Sequence, residues 1–285
     1  MEIKAVTDSA AWDRYVLQTP ESRYTHLFNW SRVIEETYGH RPVYLAAVTL
    51  RQPEIQDIPD LTLMAGGPRI FSGKVGMSLP ISGSQREMTN NFKSKLRSQI
   101  KKSEKSGLDW KIGKTELMYP FYAVFSRNMR DLGSPVHSKN FFKVIFRYFY
   151  HQAFICVVFY KARPVAASFM FRFKKNLANP WASSVREFRY LNANLYLYRQ
   201  MIGFACHLKV EVFDMGRSSK NAPTYRFKEQ FCPEEPPLYR YTWPVPGQGF
   251  FRAEETLTLP GWKKLDSPGC GCGTEKQSGR DHQKC

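Results

Sequence analysis

The sequence has no apolar run long enough to cross a membrane. Its most apolar segment, Ala153–Tyr160, has the length of one β-strand, whereas a membrane-spanning helix needs about 20 apolar residues. Residues 1–8 contain no apolar core of a secretory signal. The 6 cysteines are scattered over 285 residues, which is typical of reduced thiols and not of a disulfide framework. We therefore expect a cytoplasmic protein without a transmembrane segment.

The sequence also lacks the short motifs of several enzyme classes. It contains no G-x-S-x-G elbow of serine hydrolases, no G-x-x-x-x-G-K-[ST] phosphate loop and no H-E-x-x-H zinc helix. The 6 histidines are dispersed, as packing or surface residues usually are. Cys270, Cys272, His282 and Cys285 are possible soft ligands, but their spacing is not that of a usual zinc site. We expect neither a bound metal nor a covalent nucleophile.

Acidic residues are few compared with basic ones. There are 25 Asp and Glu against 42 Lys and Arg, a formal net charge of +17. The excess lies in the middle of the chain, since residues 1–60 sum to −3, residues 61–150 to +11 and residues 151–230 to +9. A basic stretch attracts phosphate, nucleic acid or an anionic bilayer surface, but it is equally typical of a solvated surface. Charge alone leaves both interpretations open.

The hydrophobic pattern predicts a globular protein with helices and strands. Hydrophobic residues make up 42% of the chain and aromatic residues 15%, which excludes general disorder. Periodicity predicts helices over residues 11–18, 30–38, 92–106, 117–132 and 194–207, with Asn29 as the cap of the second, and a further helix that begins after the cap Ser138. Strands are predicted over residues 42–49, 153–160, 165–173, 181–185 and 210–214. Residues 51–82, rich in Gly and Pro, give no clear pattern, and short strands within them stay an open alternative. This order indicates a mixed α/β layered fold.

Six segments of the chain carry a family pattern: HLFNW at 26–30, YGHRP at 38–42, KLRSQIKKSEKSGL at 95–108, NMRDLGSPVHS at 128–138, FDMGRS at 213–218 and TYRFKEQF at 224–231. In these segments the chain resembles the FemAB-related transferases, in particular the subgroup associated with exosortase and PEP-CTERM exopolysaccharide systems. Together these segments span roughly residues 20–50 and 90–245. The resemblance implies an α/β fold of the mixed α+β kind, built from GNAT-like acyltransferase domains.

The resemblance also implies a division of the chain. After Pro80 this sequence passes almost directly to the basic helix, where the family continues its first domain, and beyond Trp243 the family pattern ends. We therefore expect an incomplete N-terminal GNAT-like portion over residues 1–89, a whole GNAT-like acyltransferase domain over residues 90–245 and an irregular tail over residues 246–285.

The activity implied is transfer of an acyl or aminoacyl group to an amine. In the best-known members of the family the donor is an aminoacyl-tRNA and the acceptor a cell-wall peptide precursor. For this chain we expect a FemAB-like N-acyltransferase acting on a phosphate-bearing or lipid-linked cell-envelope or exopolysaccharide-related precursor, in peripheral contact with the inner membrane face. The expected donor is an activated acyl group such as aminoacyl-tRNA, with a coenzyme A thioester second, and no bound cofactor. The alternative is a non-catalytic basic module that binds nucleic acid or anionic envelope precursors.

The candidate site residues lie between positions 214 and 228. The resemblance assigns Lys228 to the active centre, where an ammonium group can hold a phosphate or a polarised carbonyl oxygen. We place Asp214, Arg217 and Ser218 just beyond the end of a strand, where ligand crevices open in α/β sheets. Asp214 is expected to accept a proton or to orient Arg217, or alternatively to form an internal ion pair. Tyr225 adds a hydroxyl group, with an aromatic packing role as the alternative.

Two further patterns bear on substrate binding. The predicted helix over residues 92–106 is densely basic, and we expect its Arg97 and Lys101 to dock tRNA phosphate or an anionic acceptor, unless this is only a solvated surface. The letters QMIGFA at 200–205 match the Q-x-x-G-x-A pattern that binds the coenzyme A pyrophosphate in GNAT enzymes. That pattern needs free N–H groups at a helix N-terminus. Here it falls inside a predicted helix, which disfavours the role.

Overall fold

The computed structural model describes residues 2–48 and 69–242. These residues belong to one compact unit. The predicted tail over residues 246–285, with its cysteine and histidine candidates, lies outside the described residues. Within the described ranges, no helix is both long enough and apolar enough to span a bilayer.

Helices and strands alternate along most of the chain. The strands are β1 (Glu2–Ala5), β2 (Leu45–Val48), β3 (Arg69–Pro80), β4 (Leu108–Gly113), β5 (Ala153–Tyr160), β6 (Arg163–Phe173), β7 (Asn176–Ser184), β8 (Val212–Ser219) and β9 (Pro237–Thr242). The α-helices are α1 (Ser9–Gln18), α2 (Phe28–Tyr38), α3 (Gln85–Asn90), α4 (Ser94–Glu104), α5 (Met118–Asp131), α6 (Lys139–Phe149), α7 (Ala193–His207) and α8 (Pro223–Glu229). Short 3-10 helices cover Tyr24–His26, Thr115–Leu117 and Arg186–Leu191.

One large sheet organises the described residues. It has seven strands in the order β4-β5-β6-β7-β8-β3-β9, and β1 and β2 form a separate pair. Neighbouring strands of the large sheet are antiparallel, except that β7 and β8 are parallel. The order of the sheet therefore brings β3, from the N-terminal third of the chain, between two C-terminal strands.

Each face of the large sheet is covered by helices with an apolar side. On one face α3, α4, α7 and α8 pack over a cluster that includes Ile100, Met201 and Phe213. On the other face α2, α5 and α6 pack over a phenylalanine-rich cluster that includes Phe142 and Phe169. Side chains alternate between the two faces along each strand, so both faces supply a core. This arrangement confirms the predicted mixed α/β layered fold.

Several helix ends agree with the sequence, but one predicted cap is wrong. The hydroxyl of Ser138 accepts a hydrogen bond from the Phe141 N–H at 3.2 Å and caps α6 as predicted. Asn29 lies inside α2, which begins at Phe28. The Phe28 N–H donates instead to the Asp13 carboxylate of α1 at 2.7 Å. A partner 15 residues away satisfies this helix end, so the local sequence gave no sign of it.

Three predicted element boundaries are corrected by the structure. The helix predicted over residues 92–106 is present as α4, but it begins at Ser94 and ends at Glu104, and a separate helix, α3, precedes it and ends at Asn90. The strand β3 occupies a glycine-containing segment for which no element was predicted. The strand predicted to end at Asp214 continues to Ser219, so Arg217 and Ser218 lie within β8, and Lys228 lies on α8, not in a loop.

Candidate functional site

The parallel strands β7 and β8 separate soon after they begin to pair. Their last paired residues are Ala178 and Asp214. Just beyond this pair, β7 shifts its register against β6, and β8 shifts its register against β3. Such β-bulges bend and twist a strand. Two bulges at the same level therefore open a fork in the middle of the sheet.

The fork contains a cleft of about 780 Å³. Its walls come from β7 beyond the fork, from β8, from the first turn of α7 (residues 192–195) and from α8. Three cationic side chains line it, those of Arg189, Arg217 and Lys228, and no acidic residue lines it among the described residues. A helix N-terminus adds a partial positive charge. The cleft is therefore suited to an anionic or electron-rich ligand.

Lys228 is held in the cleft by groups of the adjacent strand. Its Nζ atom donates to Ser218 Oγ at 3.2 Å and to the Arg217 carbonyl oxygen at 3.4 Å. Burial lowers the pKa of Lys228 to about 8, while the negative charge of Asp214 acts in the opposite direction. Ser218 is itself buried. The amine is thus fixed in place; with a pKa of about 8 it is mostly the charged ammonium at pH 7 and loses its proton as the pH rises through 8.

Asp214 supports the bulge on which the cleft depends. Its Oδ1 atom accepts a hydrogen bond from the Gly216 N–H at 2.7 Å. Asp214 does not line the cleft, and its charge acts on Lys228 through space. It also raises the pKa of the Tyr24 hydroxyl, after the larger effect of burial. This placement supports a positioning role for Asp214.

Gly216 provides the backbone conformation and the space of the bulge. Its φ of +76° lies in the left-handed region, which favours glycine. A Cβ atom at this position would lie 3.7 Å from the Asn179 carbonyl oxygen and 4.0 Å from Lys228 Nζ. The hydrogen of glycine therefore leaves open a small volume bordered by both residues.

The structure brings only some of the predicted site residues to the cleft. Lys228 and Arg217 line it, and Ser218 and Asp214 support them. Tyr225 does not line it: its hydroxyl donates to Glu235 Oε1 at 2.8 Å, which raises the pKa of Tyr225 to about 12.

The two predicted docking residues of α4 also lie outside the cleft wall. Gln99 is the residue of α4 that lines the cleft. Positions two apart on a helix point about 200° apart, so Arg97 and Lys101 face away from Gln99. Both are exposed, and Arg97 Nη1 donates to the Asn90 carbonyl oxygen at 2.9 Å.

Sequence reasoning missed Asn179, Arg189 and the first turn of α7. Asn179 precedes Pro180 within β7, and a proline inside a strand often marks a bulge, so a signal was available. Arg189 lies in the 3-10 segment Arg186–Leu191, whose sequence has no periodicity. No local pattern places it beside Lys228.

The Q-x-x-G-x-A letters do not fit a pyrophosphate site. They lie inside α7, where the backbone N–H groups bond within the helix. A Cβ atom on Gly203 would lie 2.4 Å from Gln85 Nε2, which donates to the Arg199 carbonyl oxygen at 2.9 Å. The glycine thus allows α3 to pack against α7, and the prediction that these letters fall within a helix is confirmed.

Comparisons with known proteins agree with this architecture. Residues 90–229 match the acetyltransferase (GNAT) domain family. The crystal structure of FemX is similar with a TM-score of 0.60 at 12% identity, and the match covers 83% of this chain and 95% of that one.

Two other solved structures show weaker similarity. The C-terminal domain of a putative lysylphosphatidylglycerol synthetase from Agrobacterium fabrum matches with a TM-score of 0.47 at 12% identity, over 61% of each chain. L-PGS from Bacillus licheniformis matches with a TM-score of 0.45 at 11% identity, also over 61% of each chain. No curated protein matches the sequence. The chain therefore has a mixed α/β, GNAT-like fold similar to that of FemX, within which residues 90–229 match the acetyltransferase (GNAT) domain model.

Proposed function

We propose that this protein is a FemAB-like N-acyltransferase that transfers an acyl or aminoacyl group to an amine of a cell-envelope or exopolysaccharide-related precursor. The observation that carries the proposal is the position of Lys228, held by Ser218 in a cationic cleft at the fork of the sheet. A GNAT-type domain supports acyl transfer in general. The substrates and the role of Lys228 are those that the resemblance implies, and the cationic lining of the cleft supports them.

The proposed step needs positioning and charge stabilisation more than a nucleophilic side chain. The amine nitrogen attacks the carbonyl carbon of the activated ester, and a C–N bond forms while negative charge collects on the carbonyl oxygen. Lys228 stabilises this charge. The intermediate then collapses, the C–O bond to the donor breaks, and the proton lost by the amine ends on the leaving oxygen. Asp214 acts in this proposal by supporting Lys228 and Gly216; its predicted role as proton acceptor stays a prediction.

The cleft favours substrates that carry phosphate. Arg189 and Arg217 line it together with the first turn of α7, and both arginine side chains and helix N-termini bind phosphate well. The 3′ end of an aminoacyl-tRNA and a phosphate-linked precursor both meet this requirement. A coenzyme A thioester also carries phosphate, but the Q-x-x-G-x-A letters are unsuited to hold it.

A donor comparison tests the proposed function. The full chain is incubated with a nucleotide-linked peptide precursor that carries a free amine, and with radiolabelled aminoacyl-tRNA or acetyl-coenzyme A. We expect label in the precursor from aminoacyl-tRNA and much less from acetyl-coenzyme A. No transfer from either donor, together with salt-sensitive tRNA binding, would favour the non-catalytic basic module.

The exposed basic residues in and beside α4 are the observation that favours the non-catalytic basic module. We call Lys93, Lys95, Arg97, Lys101, Lys102 and Lys105 the α4 basic surface; all six residues are exposed. None of them forms an ion pair with an acidic residue in the part of the chain that the structure describes. Unpaired cations at this density bind phosphate groups. We propose that this surface docks the donor tRNA or an anionic precursor at the inner membrane face.

Charge reversal tests the α4 basic surface. We expect Arg97→Glu/Lys101→Glu to bind tRNA about tenfold more weakly at low salt and to show a smaller salt dependence, because phosphate contacts are lost. Retention on anionic vesicles is measured in parallel to separate tRNA from a membrane surface. The matched control is Lys143→Glu/Arg172→Glu, which changes the charge equally at exposed sites on α6 and β6. Equal retention of both double variants would remove the docking role.

We further propose a cytoplasmic setting with peripheral contact at the inner membrane, in an exosortase-associated exopolysaccharide system. The proposal includes an incomplete first GNAT-like portion over residues 1–89. It rests on the resemblance of the segments at 26–42 and 95–138 and on the charge of the α4 basic surface. Fractionation of cells that express the full chain tests it: we expect the protein in the membrane fraction at low salt and in the soluble fraction at high salt.

A further inference from the structure

A basic and aromatic surface extends outward from one wall of the cleft. We call residues 160–163 and 186–190 the cleft rim: the first range is the turn between β5 and β6, and the second belongs to the 3-10 helix that precedes α7. The two ranges meet through their aromatic rings, since the Tyr160 and Phe188 centroids lie 6.1 Å apart. Phe188 and Arg189 also line the cleft. The rim is therefore continuous with the candidate site.

The positive charge of the cleft rim is not neutralised by the protein. The rim carries four exposed cations, Lys161, Arg163, Arg186 and Arg189. None of the four forms an ion pair with an acidic residue that the structure describes. The one acidic residue of the rim, Glu187, pairs with Arg127, which lies outside it. Exposed cations without acidic partners attract a chain of phosphates.

Aromatic rings alternate with these cations. The Tyr190 side chain is 65% exposed. The Arg163 Cζ atom lies 5.8 Å from the centroid of the Phe188 ring, and Lys161 Nζ lies 5.5 Å from that of the Tyr160 ring. Proteins bind single-stranded nucleic acids with such a combination, because the bases stack on exposed rings while cations hold the backbone. The bases of a duplex are already stacked on one another, so the exposed ring favours an unpaired strand.

The cleft rim also borders the α4 basic surface. A Cβ atom on Gly107 would lie 3.9 Å from Tyr160 Cε2, and Lys105, the C-cap of α4, precedes Gly107 by two residues. The C-terminal end of α4 therefore lies beside the rim. The α4 basic surface, the rim and the cleft are thus contiguous. An RNA whose duplex part meets α4 can pass its single-stranded end over the rim into the cleft.

We propose that the cleft rim binds the unpaired 3′ end of the donor RNA, with a base stacked on Tyr190 and with Arg163 and Arg186 in contact with phosphates. This inference rests on the proposed function, because it takes an aminoacyl-tRNA as the donor. It assigns the two parts of that donor to two surfaces. The duplex part binds the α4 basic surface through its phosphates, and the single strand binds the rim through both bases and phosphates.

Removal of the exposed ring tests the cleft rim. The probes are a short labelled single-stranded RNA that ends in CCA and a blunt-ended RNA duplex, and binding to the full chain is measured by fluorescence anisotropy. We expect Tyr190→Ala to bind the single strand about tenfold more weakly and the duplex as wild type does, because only the single strand loses a base stack. Tyr190→Phe keeps the ring and should bind both probes normally. The matched control is Tyr15→Ala on α1, whose side chain is 66% exposed; it should change neither affinity.

Transfer kinetics separate this proposal from the proposed function. Tyr190→Ala should raise KM for aminoacyl-tRNA about tenfold with kcat unchanged, since a contact away from the reacting carbonyl stabilises the ground state and the transition state equally. Binding of the single strand that depends on Tyr190, in a protein that transfers nothing, would refute the proposed function and support the rim. Equal binding of the single strand by Tyr190→Ala and wild type, including none by either, or an equal loss for the duplex, would overturn the rim proposal and leave acyl transfer standing.

Discussion

Lys228→Ala is expected to lower the rate of acyl transfer by about 10³-fold or more while the protein stays folded. Loss of a single neutral donor to a developing oxyanion costs about 10²–10³, and a charged donor is the stronger partner. Lys228 lies at a cleft wall and makes hydrogen bonds to Ser218 Oγ and the Arg217 carbonyl oxygen. Its removal leaves both apolar cores intact. The measurement is kcat/KM with aminoacyl-tRNA, together with the thermal midpoint of unfolding.

The pH dependence distinguishes an ammonium from a general base at this position. Burial lowers the pKa of Lys228 to about 8, so the ammonium is lost as the pH rises through 8. If Lys228 stabilises the oxyanion, wild-type transfer declines above pH 8 relative to Lys228→Arg, which stays charged. If Lys228 were a base, the ratio would rise instead. A ratio that is flat from pH 6 to 10, or wild-type activity in Lys228→Ala, would remove Lys228 from the mechanism.

The same lowered pKa predicts how Lys228 affects stability. The unfolded chain binds the proton more tightly than the native chain, so the charged amine destabilises the fold below about pH 8. This penalty is relieved as the pH rises from about 8 towards the ordinary lysine value. Lys228→Met should therefore have a higher midpoint of unfolding than wild type at pH 7, and the gain should shrink above pH 8. A residue kept at a cost to stability is typical of a functional site.

Local sequence signals predicted the elements that depend on local interactions. The apolar stripe of α6 and its cap Ser138 need no distant partner, and the strand Ala153–Tyr160 is marked by its own continuous apolar run. The N-cap of α2 could not be predicted, because Asp13 of another helix satisfies it. The strand β3 was missed because its own sequence has a weak strand propensity. Its hydrogen bonds to β8 and β9, which lie far along the chain, override that propensity.

The candidate site was predictable in its chemistry but not in its shape. The resemblance pointed to Lys228, and the basic charge pattern was consistent with a phosphate-bearing ligand. The cleft itself arises where β7 and β8 part, and that depends on two bulges in register. The strand predicted over residues 210–214 ends at Asp214, whereas Gly216 allows β8 to bulge and to continue beyond it.

Gly216→Ala is expected to abolish transfer almost as fully as Lys228→Ala, on the order of 10³-fold. The residue has a φ of +76°, which costs an alanine about 1–2 kcal/mol. Relief of that strain would rotate the following residues, Arg217 and Ser218, whose oxygen atoms hold Lys228. The new Cβ would also occupy the volume between Lys228 Nζ and the Asn179 carbonyl oxygen. Both effects act on the same ammonium, and for this reason the loss approaches that of Lys228→Ala.

Gly39→Ala is the matched control, because it imposes the same backbone penalty away from the cleft. Gly39 ends α2 with a φ of +72°, and a Cβ there would meet nothing within 4 Å. Both variants should lose about 1–2 kcal/mol in the free energy of unfolding, measured with urea. Only Gly216→Ala should lose transfer. If the two variants lose activity equally, the effect is one of stability, and the volume beside Gly216 is not where the acyl group reacts.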